Sequence, residues 1–230
     1  MVQGAVLSAP VASRHGIFFW LFGNVVSVRY TFFLTAMVMG MGRRTAADLL
    51  SWVIVAFAAV LLHELGHAAA ARAYGQTPHI ELHAMGGTTH RAWDERVRWR
   101  RRVAIALSGP AIGLAVGGLV AVLTPHDPGG PRLLHMARHD FLWVTVGWSL
   151  FNLLPLLPMD GGLALAETLE WWRGADKGRL LARQVSCVTG AIGLMVALSL
   201  NQVWAAALCG VFTYDNLQRM RGLPGVELPR

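Results

Sequence analysis

Residues 56–75 read AFAAVLLHELGHAAAARAYG, and the reading of this stretch decides the fold. Nearly every position is apolar, yet His63, Glu64 and His67 stand near its middle. Traced outward, the apolar run extends from Leu49 to Ala73, long enough for a bilayer span of about 20 residues. Ionisable side chains inside a span are costly, and they mark function there. On a helix, positions four apart share a face, so His63 and His67 aim two imidazoles at one point, with Glu64 beside that face. This is the H-E-x-x-H pattern, in which two histidines hold a metal ion and the glutamate acts as general base. The blander alternative, satisfied core residues, must explain three ionisable groups in one span.

The rest of the composition agrees with a membrane setting. Of 230 residues, 54% are hydrophobic and only 14% are charged, against about a quarter charged in soluble domains. Mean hydropathy is +0.46. A net charge of +7 raises the possibility of nucleic acid. The basic residues flank apolar runs rather than sharing one face, which reads as membrane topology and excludes that partner. Cys187 and Cys209 lie inside apolar runs and read as packing residues, not a disulfide framework or a CxxC metal site. The first fifteen residues lack the charged-then-apolar order of a cleavable signal peptide.

Working outward, VVSVRY (25–30) reads as a turn or short strand at the membrane surface, followed by a first helix from Tyr30 to Met41. The span 49–73 comes next. Residues 75–102 differ in kind: Pro78 and Gly86-Gly87 punctuate β-compatible residues, which predicts a membrane-edge hairpin or small sheet. A basic collar follows, with Arg91, Arg96, Arg98, Arg100, Arg101 and Arg102. Residues 103–123 form a second clear span, kinked by Pro110. Residues 124–140, rich in Pro and Gly, read as a loop, and 141–157 as a third clear span. A polar stretch runs to Arg183. The last apolar block, 185–212, is one long helix or a hairpin broken at Asn201-Gln202. Arg179 and Arg183 precede it and Arg219 and Arg221 follow it, so both ends belong on one side of the membrane and the block crosses twice.

The fold class is therefore a polytopic membrane all-α bundle of about six transmembrane helices, six favoured over five, with a short membrane-edge β-sheet. One domain covers 1–230, with a catalytic core at about 49–162 and C-terminal helices at about 184–218. Placing the 91–102 collar in the cytoplasm sends 158–183 and both termini there too. Arg43 and Arg44 then fall outside, against the rule. There is no internal repeat and no low-complexity tract.

A catalytic zinc takes three protein ligands and keeps one position open. Asp160 is the candidate third ligand, in NLLPLLPMDGG (152–162). Pro155 and Pro158 stop a regular helix, and Gly161-Gly162 permit close backbone approach. Broken backbone at membrane depth is tolerated where it is buried in protein or lines a wet cavity. The alternative is a helix-ending turn with a solvated Asp160.

With HELGH (63–67), SGP (108–110) and NLLPLLPMDGG in this order, the chain resembles the site-2 protease family of intramembrane zinc metalloproteases. The family's second motif falls on Asn152, Pro155, Pro158, Asp160 and Gly161, with Met159 where Leu is more usual. The match covers 49–162. The resemblance implies that His63, His67 and Asp160 bind one zinc ion per chain and that Glu64 is the general base. It implies that Asn152 holds substrate or the developing oxyanion. It further implies that a strand edge near Gly86-Gly87 pairs with a substrate segment unwound from its helix, whose carbonyls are otherwise hidden in hydrogen bonds. Some members carry PDZ or cystathionine-β-synthase-like domains, for which this sequence has no room.

The implied partners are a transmembrane protein or peptide substrate and the lipid bilayer, with a regulatory membrane partner or a second copy as options. The implied location is the plasma or inner membrane, with the site toward the cytoplasm. The implied outcome is release of a signalling factor or clearance of signal-peptide remnants. Two rivals stand beside this reading. A catalytically silent pseudoprotease or scaffold does not need Glu64. A metal transporter using His63, His67 and Asp160 as a transit site does not need a general base.

Other residues stand out. His79, Glu81 and His83 alternate along a predicted strand, as a second metal site or as a polar strand face. His126, His135 and His139 sit together in the 124–140 stretch, with a metal role as one option. Trp171, Trp172 and Arg173 fit an interfacial aromatic belt. Asp215-Asn216 read as helix-end capping or as contacts to the site. RVRWRRR (96–102) reads as a topology collar, or as a binder of acidic lipid or a substrate tail.

Overall fold

The computed structural model describes residues 11–12, 16–90, 97–124 and 130–225. Arg91, Arg96 and His126 lie outside the described residues. The described chain is mostly helical, with a small sheet. Its elements run β1 (Val11–Ala12), β2 (Gly16–Leu21), β3 (Asn24–Arg29), α1 (Tyr30–Met39), α2 (Ala46–Ala73), β4 (His79–His83), β5 (Gly86–His90), α3 (Trp99–Leu123), α4 (Arg132–Asn152), α5 (Asp160–Arg173), α6 (Ala175–Ser199) and α7 (Val203–Met220). They fall into two compact units. One holds the described residues up to His90 with Ser108–Ser149. The other holds Val97–Leu107 with the residues from Leu150 onward.

In the first unit the five strands lie in sequence order. All neighbours are antiparallel except β3 and β4, which run parallel. A parallel pair needs a long crossover, and α1 with α2 supplies it. The pleat sorts the side chains. Val26 and Val28 pair with Ile80 and Leu82 on one face, where they join Phe32, Val60, Leu61 and Ala68 in a buried core. Ser27 and Glu81 pair on the other.

The start of α2 is fixed by a capping box, in which Thr45 and Asp48 exchange backbone-to-side-chain hydrogen bonds of 3.2 Å each. The Asp48 carboxylate also accepts from both Arg132 guanidinium nitrogens, at 2.7 and 3.2 Å. Arg43 pairs in the same bidentate way with Asp140, at 2.8 and 3.0 Å, and lies 4.8 Å from the centre of the Trp52 ring. Arg43 was one of two residues that broke the topology rule. Its charge is neutralised by a buried aspartate, so it is a weak topology signal.

Among the described residues, three helices are long and apolar enough to cross a membrane: α2, α3 and α6. Helix α1 is apolar but shorter. Several boundaries differ from the sequence reading. Residues 132–140 are the first turns of α4 rather than loop, and α4 stops at Asn152 rather than reaching Leu157. Pro155 and Pro158 explain the early stop, because the residue before a proline avoids helical geometry. The polar stretch after Pro158 forms α5 and the first turns of α6, with Gly174 at φ +85 between them. The last apolar block is broken at Leu200–Gln202, as the hairpin reading expected.

Candidate metal centre

Helix α2 carries the first motif on its buried side, where His63, Glu64 and His67 are each no more than 5% exposed. The one-turn spacing brings the two Nε2 atoms to 3.2 Å, with the rings edge to face and their centroids 4.9 Å apart. Small residues make the room. A Cβ at Gly66 would press within 2.7 Å of the Ser108 carbonyl oxygen, and one at Gly109 would run into the His67 imidazole. Ser108 and Gly109 belong to the SGP stretch, so that motif is a seat for the histidine helix. Glu64 meets β5: the Thr89 hydroxyl donates to its Oε2 at 2.7 Å. Thr89 was missed in the sequence, and only its place two positions after Gly87 on a predicted strand pointed to it.

In the second unit, Asp160 is the first residue of α5. A carboxylate in the first helical turn is favoured by the helix dipole. The irregular backbone before it is held by remote residues. The Leu157 N–H donates to Ser186 Oγ at 2.9 Å, and the Leu157 carbonyl accepts from Asn216 Nδ2 at 2.8 Å. Ser186 donates onward to the Ala182 carbonyl and Asn216 to the Phe212 carbonyl, each at 2.8 Å. Both side chains are essentially inaccessible. Side chains at Gly161 or Gly162 would collide with backbone at 153–157. Asn216 therefore corrects the helix-capping reading, since it lies inside α7 and clamps the turn. Asp215 pairs instead with Arg219, one turn on, at 2.8 Å. Asn152 is buried at the end of α4.

His63 and His67 offer two adjacent imidazoles in the first unit, and Asp160 offers a carboxylate at the start of α5 in the second. Two imidazoles and a carboxylate are a donor set suited to zinc, and three protein ligands leave a position open. The glycine seat around the His67 ring and the buried meeting of the two Nε2 atoms fit a metal at this place.

No family model matches the chain. A protein of Synechocystis sp. named as a zinc metalloprotease is 30% identical over 175 residues, which is 71% of this chain and 45% of that protein. A zinc metalloprotease of Methanocaldococcus jannaschii is 27% identical over 217 residues, covering 91% of this chain and 61% of that one. The chain thus spans about half the length of the curated relatives it matches. Among solved structures, the site-2 protease from Methanocaldococcus jannaschii superposes with a TM-score of 0.63 at 22% identity, covering 97% of this chain and 98% of that one. That last likeness is one of fold.

The chain shares the fold of that site-2 protease and is similar in sequence to the two zinc metalloproteases. In this chain the first motif is part of a long apolar helix and the second is the α4–α5 turn.

The remaining candidates resolve into structural roles. His79 bonds Ser27 at 2.9 Å, and His83 bonds Thr88 at 2.9 Å. Glu81 accepts from Arg29 and pairs with His90 at 3.0 Å. Burial pushes the His79 and His83 imidazoles below the usual histidine range. These groups satisfy one another, so the polar-strand-face reading holds. His139 sits exposed beside Asp140, and His135 is within α4. Trp171 and Trp172 are exposed; Trp171 stacks on Trp99 at 4.5 Å and Arg173 covers Trp172 at 4.0 Å.

Proposed function

We propose that this chain is an intramembrane zinc endopeptidase that hydrolyses peptide bonds in or near transmembrane segments of membrane proteins. The observation that carries the reading is the buried pair of His63 and His67, their Nε2 atoms 3.2 Å apart, beside a buried Glu64, with Asp160 as the proposed third ligand. His63, His67 and Asp160 would hold the zinc, which would supply Lewis-acid polarisation of a carbonyl and lower the pKa of an attacking water. Glu64 takes the proton of that water on its carboxylate and passes it to the departing amine. Asn152 binds substrate or the developing oxyanion with its side-chain amide. Among the described residues strand β5 stands at the end of the strand order, and its outer edge is the proposed seat of an extended substrate segment.

The finer reading is a single domain with six crossings, in a plasma or inner membrane, with the site toward the cytoplasm. It rests on the charge distribution around the spans and on the break at Leu200–Gln202. The partners are a transmembrane substrate and the bilayer, with a regulatory membrane protein or a second copy as options.

The test is zinc per chain in the purified protein beside His67→Ala and Asp160→Ala, with cleavage measured in parallel. About one zinc in the wild type, as a three-ligand site requires, and loss in both variants supports the reading. Full zinc in Asp160→Ala removes Asp160 from the ligand set. Zinc bound without cleavage points to the pseudoprotease, and vesicle metal flux lost in the same variants points to the transporter.

A further inference from the structure

We infer that Thr89, on β5, is a positioning residue that aims the Glu64 carboxylate; the inference rests on the protease reading above. Helix α2 fixes the Cα of Glu64 but leaves its long side chain free to rotate, and that freedom is costly to remove. Glu64 is nonetheless only 3% exposed, and a carboxylate so buried needs donors. Strand β5 supplies one. Thr89 pairs with Ile80 and Gly87 with Leu82, so both face the core side of the sheet, toward α2. The Thr89 hydroxyl lies 2.7 Å from Glu64 Oε2 and 3.2 Å from the Glu64 main-chain oxygen. The shorter contact has the length of a charge-assisted hydrogen bond.

Gly87 contributes by what it lacks. A Cβ there would sit 2.5 Å from Glu64 Cγ and 2.6 Å from Oε1. One strand thus provides both the space for the carboxylate, at Gly87, and the bond that orients it, at Thr89. These are independent observations on the two oxygens of one group. A strand that only packed against α2 would need neither. Misdirecting a general base slows the proton transfer while leaving metal and substrate in place.

The experiment compares Thr89→Val, which keeps the shape and removes the donor, with Thr89→Ser, which keeps the donor. Dye-labelled casein serves as an unfolded general protease substrate, and kcat, KM, zinc per chain and Tm are read for each protein in detergent. The expected result is a kcat lowered about tenfold in Thr89→Val, the size of one hydrogen bond to a charged group. KM and zinc content stay at wild-type values, and Thr89→Ser recovers most of the rate. Wild-type kcat in Thr89→Val overturns the inference. So does a Thr89→Ser as slow as Thr89→Val, or zinc lost in step with rate. Should Thr89→Val not fold, Gly87→Ala replaces it, with the same loss of kcat at constant zinc expected and an unchanged kcat overturning the inference. A zinc-loaded wild type that cuts nothing overturns the protease reading itself, a different result from variants that match an active wild type.

Discussion

The two regions that carry the proposed metal ligands are built on opposite principles. On α2, His63 and His67 are one helical turn apart, and the turn itself delivers two Nε2 atoms 3.2 Å from each other. Before α5, the chain approaches Asp160 through an irregular stretch whose backbone is held by Ser186 from α6 and Asn216 from α7. The first arrangement is self-orienting, because backbone geometry is repeated at every residue. The second is orienting only while distant helices hold it. Metal geometry tolerates little slack, and outer supports commonly matter by 10–100-fold in affinity (order of magnitude).

The largest expected effect removes the chemistry without touching either arrangement. Glu64→Gln should abolish measurable cleavage, a loss of about 100-fold or more for a general base, with zinc still bound. Retained activity in that variant would take Glu64 out of the mechanism. Next come the ligands. His67→Ala and Asp160→Ala should each strip the protein of zinc, and metal analysis on dialysed protein would reveal any inequality between helix and turn.

The comparison itself is sharpened by its supports. Asn216→Leu, which removes the donor to the Leu157 carbonyl, should weaken zinc binding about tenfold, measured by competition with a chelator. Thr45→Ala, which breaks the α2 capping box, should cost about 1 kcal/mol of stability and leave zinc affinity alone. Equal changes in zinc affinity for these two variants would erase the distinction between a self-orienting and a clamped ligand. The smallest effect tests the polar sheet face. Burial holds His83 below its ordinary value of 6.5, so near and below that pH the unfolded chain takes up a proton that the folded chain resists. Stability is then present above about pH 6.5 and declines as pH falls. His83→Gln should flatten that slope in a thermal-unfolding series, and an unaltered slope would assign the pH dependence elsewhere.

Much of this was readable from residues alone, for a reason specific to membranes. Few ionisable side chains sit in apolar runs, so HELGH stood out at once, and the two prolines of NLLPLLPMDGG announced broken backbone around Asp160. Boundaries were less legible. The Pro- and Gly-rich composition of 124–140 hid the first turns of α4, which carry Arg132 and Asp140. Their ion pairs with Asp48 and Arg43 span 84 and 97 residues of sequence. A positive-inside count treats Arg43 as a free charge because it cannot see such a partner. The count of crossings stays similarly coarse: among the described residues α2, α3 and α6 qualify by length and composition, whereas α4 and α7 do not.

By itself the sequence determined the membrane class, the metal motif on α2 and the candidate third ligand, because spacing along a helix and the scarcity of charge are local properties. Only the tertiary structure decided what holds those groups. It set Thr89 against Glu64, Gly109 beneath His67, and Asn216 on the carbonyl before Asp160. Each is an uncharged residue of ordinary type, and its role comes from a neighbour far away in the chain. A hydrogen bond needs a partner within about 3 Å, and no pattern along one strand of sequence states which partner folding will bring there.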